Sequence, residues 1–82
     1  MSHFVYIIFS ESFDRFYIGQ TNDFDARLKR HNMGQVLSTK AFAPWKLKCL
    51  LPKSSRSEAV QLERKLKNLN RERLVQFIEK YT

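Results

Sequence analysis

Two short apolar segments joined by a polar one constrain the fold of this chain more than any other feature. Residues 3–9 are rich in β-branched and aromatic types, which is typical of a strand buried on both faces. Residues 10–15 are mainly polar and turn-like, and residues 16–20 form a second segment of strand type. Because only a short turn joins them, the two segments predict an antiparallel β-hairpin.

The strand period places three residues on one face of this hairpin. A turn centred between Glu11 and Ser12 brings Tyr6 opposite Tyr17, whereas a loop longer by two residues brings Tyr6 opposite Gly19. In either register Tyr6, Tyr17 and Gly19 share a face, because side chains alternate with a period of two. A glycine on this face leaves the backbone open to close approach by another group.

A helix, a loop and a third strand are predicted to follow. Thr21 or Asn22 can cap a helix that begins near Asp23 and ends near Asn32, before a loop at residues 33–44. The alternating segment at residues 45–51 predicts a strand. The side chains expected on one face of this strand are Trp45, Leu47, Cys49 and Leu51. Within that set, the cysteine is expected to be a buried, inert thiol.

Two more helices complete the predicted architecture. Ser55 or Ser57 can cap a long helix, and Asn70 is predicted to end it and to cap a short final helix. The apolar stripes are Ala59, Leu62, Leu66 and Leu69 in the first, and Leu74, Phe77, Ile78 and Tyr81 in the second. The fold class is therefore α/β of the α+β type, in a single domain over residues 1–82. The expected order is β-β-α-β-α-α, with a small, mostly antiparallel three-stranded sheet flanked by helices.

The composition of the chain indicates which partners it can bind and in which cellular compartment we expect it. The 82 residues include 15 Lys and Arg against 8 Asp and Glu, a formal charge of +7. Charge spread over both halves favours a polyanionic partner, with nucleic acid first, and a merely solubilising surface is the alternative. The apolar run at residues 4–9 is too short for a signal peptide or a membrane span, and one cysteine permits no internal disulfide. We therefore expect a cytoplasmic protein that does not bind membranes.

The polar side chains near the hairpin and the first helix have ordinary interpretations. Tyr6 and Tyr17 are each compatible with a core tyrosine whose hydroxyl is satisfied. Arg27 and His31 lie three and seven residues after Phe24, so they fall on or beside the buried stripe of the helix. An arginine there needs a partner, which could be the aspartate four residues earlier or a phosphate. A histidine at this position commonly interacts with the helix C-terminus.

Glu63 flanks the stripe of the long helix. Lys67 lies four residues later, so a surface ion pair is the ordinary interpretation. Other chemistries have little support in this sequence. It holds no cysteine pair and no closely spaced histidine pair, and its two glycines are too few for a Gly-rich phosphate loop.

Taken together, these segments resemble the GIY-YIG endonuclease superfamily, and in particular its short single-domain bacterial (UPF0213-like) members. The resemblance covers roughly residues 3–80. It is carried, in order and spacing, by residues 4–6, 17–21, 27–32 and 62–67. Two departures are visible. Phe4 stands where the family's first motif opens with glycine, and Ser38-Thr39 stands where short members often carry a Tyr-Thr pair.

The resemblance implies a nuclease and assigns roles to individual residues. The catalytic set that it implies is Tyr6, Tyr17, Arg27, His31 and Glu63. The nucleic-acid contacts that we predict are Gly19, Asn22, Lys40 and Lys67. Tyr6 would take the proton from the attacking water, helped by His31, while Tyr17 positions phosphate or water. A free tyrosine has a pKa of about 10, so Tyr6 needs cationic neighbours to act as a base.

The expected cofactor is one Mg²⁺ or Mn²⁺ ion held by Glu63, because Mg²⁺ often binds through one or two carboxylates together with substrate phosphate and water. Arg27 would neutralise charge on the scissile phosphate. DNA is the expected substrate. The alternative is a basic nucleic-acid-binding module that is inactive alone or active only with a partner protein. A protein-interaction scaffold is the third possibility.

Overall fold

The structure is a computed structural model that describes residues 3–81 and contains one sheet and three α-helices within that range. The strands are β1 (His3–Ser10), β2 (Arg15–Thr21) and β3 (Lys46–Lys53). The helices are α1 (Phe24–Asn32), α2 (Arg56–Lys67) and α3 (Arg71–Tyr81), and a 3₁₀ turn spans Lys40–Phe42. The sheet has the order β2-β1-β3, and both pairings are antiparallel. The predicted α+β class and the order β-β-α-β-α-α are confirmed.

Side-chain caps fix where the helices begin. The Asp23 carboxylate accepts a hydrogen bond from the Ala26 amide, so Asp23 caps α1, and the prediction of Thr21 or Asn22 as the cap is wrong by one or two residues. The hydroxyl oxygen of Thr21 instead accepts from the Asp23 amide. In the same way Ser55 caps α2. The predicted cap of the last helix is confirmed, since the Asn70 side chain accepts from the Arg73 amide.

The central strand supplies side chains to both sides of the sheet. One side, here termed the aliphatic face, packs against α2 and α3; its buried members are Val5, Ile7, Ile18, Cys49, Ala59, Leu66, Leu74 and Ile78. The other side, the aromatic face, packs against α1 and the loop that follows it; its buried members are Tyr6, Ile8, Phe24 and Trp45. Because β1 is buried on both faces, its sequence is a continuous apolar run rather than an alternating one.

A β-bulge in β3 changes which residues share a face. Ile7 pairs with Cys49 but Ile8 pairs with Leu47, so Lys48 is an extra residue on β3. Trp45 therefore packs on the aromatic face while Cys49 packs on the aliphatic face, and the prediction that they share a face is wrong. The cysteine is buried as expected, and this burial raises the pKa of its thiol. No helix within residues 3–81 is both long enough and apolar enough to cross a membrane.

Candidate active site

The register of the hairpin places Tyr6 directly opposite Gly19. The longer of the two predicted loops is therefore realised, and Tyr17 lies on the same face as both residues, as the strand period predicts. The Tyr6 ring lies across the glycine. A Cβ atom added at Gly19 would stand 2.5 Å from Cζ of Tyr6, closer than real Cβ contacts come. Glycine is therefore the only residue type at position 19 that leaves room for the Tyr6 ring.

His31 lies at the end of α1 and meets the tyrosine hydroxyl. Both side chains are buried, and the Tyr6 hydroxyl is hydrogen-bonded to Nε2 of His31 at 2.8 Å. The Tyr17 ring packs edge-on against the imidazole, with 5.1 Å between the ring centroids. The expected position of His31 on or beside the buried stripe is confirmed. The histidine is thus held by groups from β1 and β2 as well as by its own helix.

Thr39, in the loop after α1, occupies the other imidazole nitrogen. Its Oγ1 lies 2.7 Å from Nδ1 of His31, and its hydroxyl also has the Val36 carbonyl within hydrogen-bonding distance at 3.4 Å. The threonine is buried although it lies in a loop. Sequence reasoning treated Ser38-Thr39 only as a departure from the family pattern and missed this contact. The available signal was the threonine itself, which matches the second residue of the Tyr-Thr pair.

The loop is tied to the third strand by an asparagine at the end of α1. The Asn32 side chain accepts a hydrogen bond from the Trp45 amide and donates one to the Trp45 carbonyl. The Trp45 indole N–H then donates to the Thr39 carbonyl at 3.1 Å. The Thr39 carbonyl is therefore held by Trp45, which Asn32 holds in turn, and this restrains the Thr39 hydroxyl beside His31.

Burial sets the protonation states of this pair. It is the main cause that raises the pKa of Tyr6 well above its usual value, and the nearby Tyr17 adds to the rise. Burial also lowers the pKa of His31, and the positive charges of Arg27 and Arg30 lower it further. Arg27 lowers the pKa of Tyr6 as expected of a cationic neighbour, but burial outweighs this effect, so the pKa is raised overall. The pair is therefore a neutral phenol and a neutral imidazole near pH 7.

Arg27 on α1 and Glu63 on α2 both act electrostatically on Tyr6. The charge of Arg27 lowers the pKa of Tyr6 and that of Glu63 raises it, so both act on the phenol hydroxyl. Within residues 3–81 the Arg27 guanidinium makes no hydrogen bond or ion pair. Asp23, its ordinary candidate partner, caps α1 instead. Arg27 is thus a half-buried cation free to bind an anion beside Tyr6.

Glu63 is the carboxylate that could hold a metal ion. Its side chain is 19% exposed and lies 3.7 Å from Nζ of Lys67, a loose pair within one helix face. Within the described part of the chain no three His, Cys, Asp or Glu side chains cluster as metal ligands. Mg²⁺ does not require such a cluster, because it usually keeps several waters and binds through one or two carboxylates and substrate phosphates. Glu63, which is half-buried and whose charge raises the pKa of Tyr6, fits that mode.

The other predicted nucleic-acid contacts lie around this centre. Lys67 neighbours Glu63, and Lys40 is exposed directly after Thr39. Asn22 lines a surface cavity together with His3, Gln20, Thr21 and Arg56. Asn22 and Lys40 therefore lie outside the hydrogen bonds that join Tyr6, His31 and Thr39, whereas Gly19 forms part of the packing under Tyr6.

Comparison with known proteins identifies the family of the chain. Residues 2–77 match the GIY-YIG catalytic domain, so the chain belongs to the GIY-YIG family. Two UPF0213 proteins are similar to it. RBAM_000440 of Bacillus velezensis is 37% identical, and the match covers 95% of this chain and 79% of that protein. BH0048 of Halalkalibacterium halodurans is 32% identical, and the match covers 95% of this chain and 83% of that protein. The solution NMR structure of BH0048 matches with a TM-score of 0.63 and 31% identity, covering 96% of this chain and 84% of that one.

Proposed function

We propose that this protein is a metal-dependent endonuclease that hydrolyses phosphodiester bonds in DNA. Domains of the GIY-YIG family are generally endonucleases, and the formal charge of +7 favours a polyanionic substrate. The observation that carries the proposal is the Tyr6 hydroxyl, held at 2.8 Å by a neutral imidazole and within reach of the charges of Arg27 and Glu63. A candidate general base, a cation for the phosphate and a carboxylate for an ion are therefore electrostatically coupled.

In the proposed reaction Tyr6 and His31 move the proton together. The attacking water forms the new P–O bond and gives a proton to the Tyr6 oxygen, while Tyr6 passes its own proton to Nε2 of His31. The P–O bond to the leaving oxygen breaks, and solvent protonates that oxygen. This relay suits the raised pKa of Tyr6, because no free tyrosinate has to exist before the attack. It also requires the neutral imidazole that the lowered pKa of His31 provides.

The remaining groups act on charge and position. Arg27 would bind the scissile phosphate and neutralise the charge that develops as the phosphorus becomes five-coordinate. Tyr17, packed on the imidazole, would orient the phosphate or the water. Glu63 would hold one Mg²⁺ or Mn²⁺ ion, which supplies Lewis-acid stabilisation of the phosphate oxygens when bound. Gly19, Asn22, Lys40 and Lys67 would contact the nucleic acid backbone.

The second candidate is a nucleic-acid-binding module in the cytoplasm that does not cleave alone, or cleaves only beside a partner protein. The observation that favours it is the Lys67 ammonium beside Glu63, because a lysine paired with the carboxylate competes with a metal ion. At 3.7 Å this pair is loose, so an ion of charge two can displace it.

A cleavage assay with a matched glutamate control separates these candidates. Labelled linear, branched and flap DNA is incubated with Mg²⁺, Mn²⁺ or EDTA and with wild type, Glu63→Gln or Glu72→Gln. Glu72 is an exposed glutamate on α3 and should be dispensable. We expect metal-dependent cutting by the wild type and Glu72→Gln, and none by Glu63→Gln, whose DNA binding in EDTA should be preserved. A gel shift without cutting under every condition would favour the binding module, and Glu63→Gln at full activity would refute the metal site.

A further inference from the structure

The hydrogen atoms around His31 can be assigned by counting donors and acceptors. A neutral imidazole carries one hydrogen, on Nδ1 or on Nε2. The Tyr6 hydroxyl has His31 Nε2 as its hydrogen-bond partner among the described residues. The Thr39 hydroxyl has two partners, Nδ1 of His31 at 2.7 Å and the Val36 carbonyl at 3.4 Å. Three hydrogens are therefore shared along one buried line from Tyr6 to Val36.

Only one tautomer gives every hydrogen on this line an acceptor. With the hydrogen on Nδ1, Tyr6 donates to Nε2, Nδ1 donates to Thr39, and Thr39 donates to the Val36 carbonyl. With the hydrogen on Nε2, the imidazole donates to the Tyr6 oxygen and Thr39 must donate to Nδ1. In the protein without substrate, the Tyr6 hydroxyl is then left without an acceptor within residues 3–81, because Tyr6 is 1% exposed there. A buried donor without a partner is unfavourable, so the first arrangement prevails.

We propose that Thr39 is the positioning residue that, by accepting the Nδ1–H while Tyr6 donates to Nε2, holds His31 as its Nδ1–H tautomer, with a bare Nε2 facing Tyr6. This inference rests on the proposed function, because a bare Nε2 is what allows His31 to take the proton from Tyr6. Thr39 does not touch the substrate in this proposal. Its hydroxyl oxygen accepts the Nδ1–H, and its backbone is held in place by the Trp45 indole and, through the same residue, by Asn32.

The chain offers a matched pair of variants at this position. Thr39→Val replaces the hydroxyl by a methyl group of similar size and removes the acceptor for Nδ1–H. Thr39→Ser keeps the hydroxyl and loses only a methyl. The tautomer is read from the nitrogen chemical shifts of ¹⁵N-labelled histidine, in which a protonated and a bare ring nitrogen are well separated. His3, at the start of β1, provides a second imidazole in the same spectra that should not respond to either variant.

We expect the Nδ1–H form of His31 in the wild type and in Thr39→Ser, and a population of the Nε2–H form in Thr39→Val. Finding Nε2–H in the wild type, or an unchanged His31 signal in a folded Thr39→Val, would overturn the proposal. This readout needs neither DNA nor metal. A protein that shows the expected tautomers but never cleaves DNA would refute the proposed function alone.

Cleavage rates then test whether the tautomer matters for turnover. Thr39→Val should cleave about tenfold more slowly at saturating DNA with unchanged DNA affinity, while Thr39→Ser stays within about twofold of the wild type. In a His31→Ala background, Thr39→Val should have no further effect, because a positioning residue acts only through the group that it positions. A loss of the same size in that background, or an equal loss in Thr39→Ser, would show that Thr39 acts through packing and would overturn the proposal.

Discussion

The two faces of the sheet use the same central strand for different purposes. On the aliphatic face Val5 and Ile7 are covered by α2 and α3 and pack among buried apolar side chains. On the aromatic face Tyr6 and Ile8 are covered by α1 and its loop, and buried polar side chains lie among the rings. One face therefore supplies apolar burial, which is the main driving force of folding, while the other holds a hydrogen-bonded line of polar groups.

This difference between the two faces predicts which substitutions lower stability and which lower activity. Removing an apolar side chain from the aliphatic face leaves a cavity and weakens the fold without moving a proton. Removing a hydroxyl from the aromatic face leaves the packing nearly intact but breaks the line from Tyr6 to Thr39. Substitutions on the two faces should therefore give opposite ratios of lost activity to lost stability.

The largest contrast is expected between Tyr6→Phe and Leu66→Ala. Phenylalanine keeps the ring over Gly19 and removes the proposed base, so cleavage should fall roughly 10²–10⁴-fold. Its unfolding free energy should fall by only about 1–2 kcal/mol, from one lost buried hydrogen bond. Leu66→Ala should cost about 2–5 kcal/mol of stability but leave the rate of the folded fraction and its pH profile unchanged. Urea unfolding and single-turnover cleavage measure both quantities, and near-full activity in Tyr6→Phe would assign Tyr6 to packing alone.

Gly19→Ala should lower both cleavage activity and stability, because the added methyl group displaces the Tyr6 ring. The added Cβ would overlap the phenol ring, so the hydroxyl must leave His31. We expect about a hundredfold loss of cleavage, near the lower limit for removal of a general base, and about 1–3 kcal/mol of lost stability from overpacking.

Gly34→Ala is the matched control. Gly34 has a φ of 73°, and a Cβ added there would meet the Lys40 Cβ at an ordinary contact distance of 3.7 Å, so alanine there strains the backbone without overlapping Tyr6. Stability should fall by about 1 kcal/mol while the rate stays unchanged. Equal rates for the two alanine variants would show that the fit of Tyr6 over Gly19 is not required for turnover.

The aromatic face was partly predictable because strand parity does not depend on the loop. Both registers considered from the sequence put Tyr6, Tyr17 and Gly19 on one face, and the structure realises one of them. The helical spacing from Phe24 to His31 likewise predicted a histidine on or beside the buried stripe. Local periodicity was sufficient for these residues, since each lies in a regular element.

Other parts of the site depend on contacts that periodicity does not encode. The bulge at Lys48 is invisible in an alternating sequence, so Trp45 was expected to share a face with Cys49. Thr39 lies in a loop, and its burial follows from the closure of that loop by Asn32 and Trp45. The pKa of Tyr6 was expected to respond mainly to cations, but the depth of burial, which only the packed structure defines, has the larger effect.

A smaller effect is expected from His31→Ala, because the imidazole assists the phenol and is not the base itself. Cleavage should fall about tenfold, less than in Tyr6→Phe, and the pH profile should move to higher pH since the phenol must then lose its proton to solvent. In the wild type the rate should fall on acidification through the lowered pKa of His31, because a protonated imidazole cannot accept. Rates from acidic to alkaline pH test this. An acid limb that persists unchanged in His31→Ala would assign that limb to another group.

The smallest expected effect is on the pH dependence of stability, which should arise from His31 on the aromatic face and not from the aliphatic face. Burial and the neighbouring arginines lower the pKa of His31 in the folded state below its ordinary value of 6.5. As pH falls below 6.5 the unfolded chain therefore binds a proton that the folded chain resists, and the unfolding free energy declines. It stops declining from this cause once pH passes below the folded pKa.

Urea unfolding of wild type, His31→Gln and Leu66→Ala across this range isolates the histidine. His31→Gln lacks the titrating group, so part of the decline between neutral pH and pH 5 should disappear. Leu66→Ala, on the aliphatic face, should be less stable at every pH but should keep the wild-type slope, because leucine does not titrate. A His31→Gln curve parallel to the wild type would mean that His31 titrates alike in the folded and unfolded states. Its burial between Tyr6 and Thr39 would then not control its charge, and the neutral imidazole that the proposed relay requires would have to be abandoned.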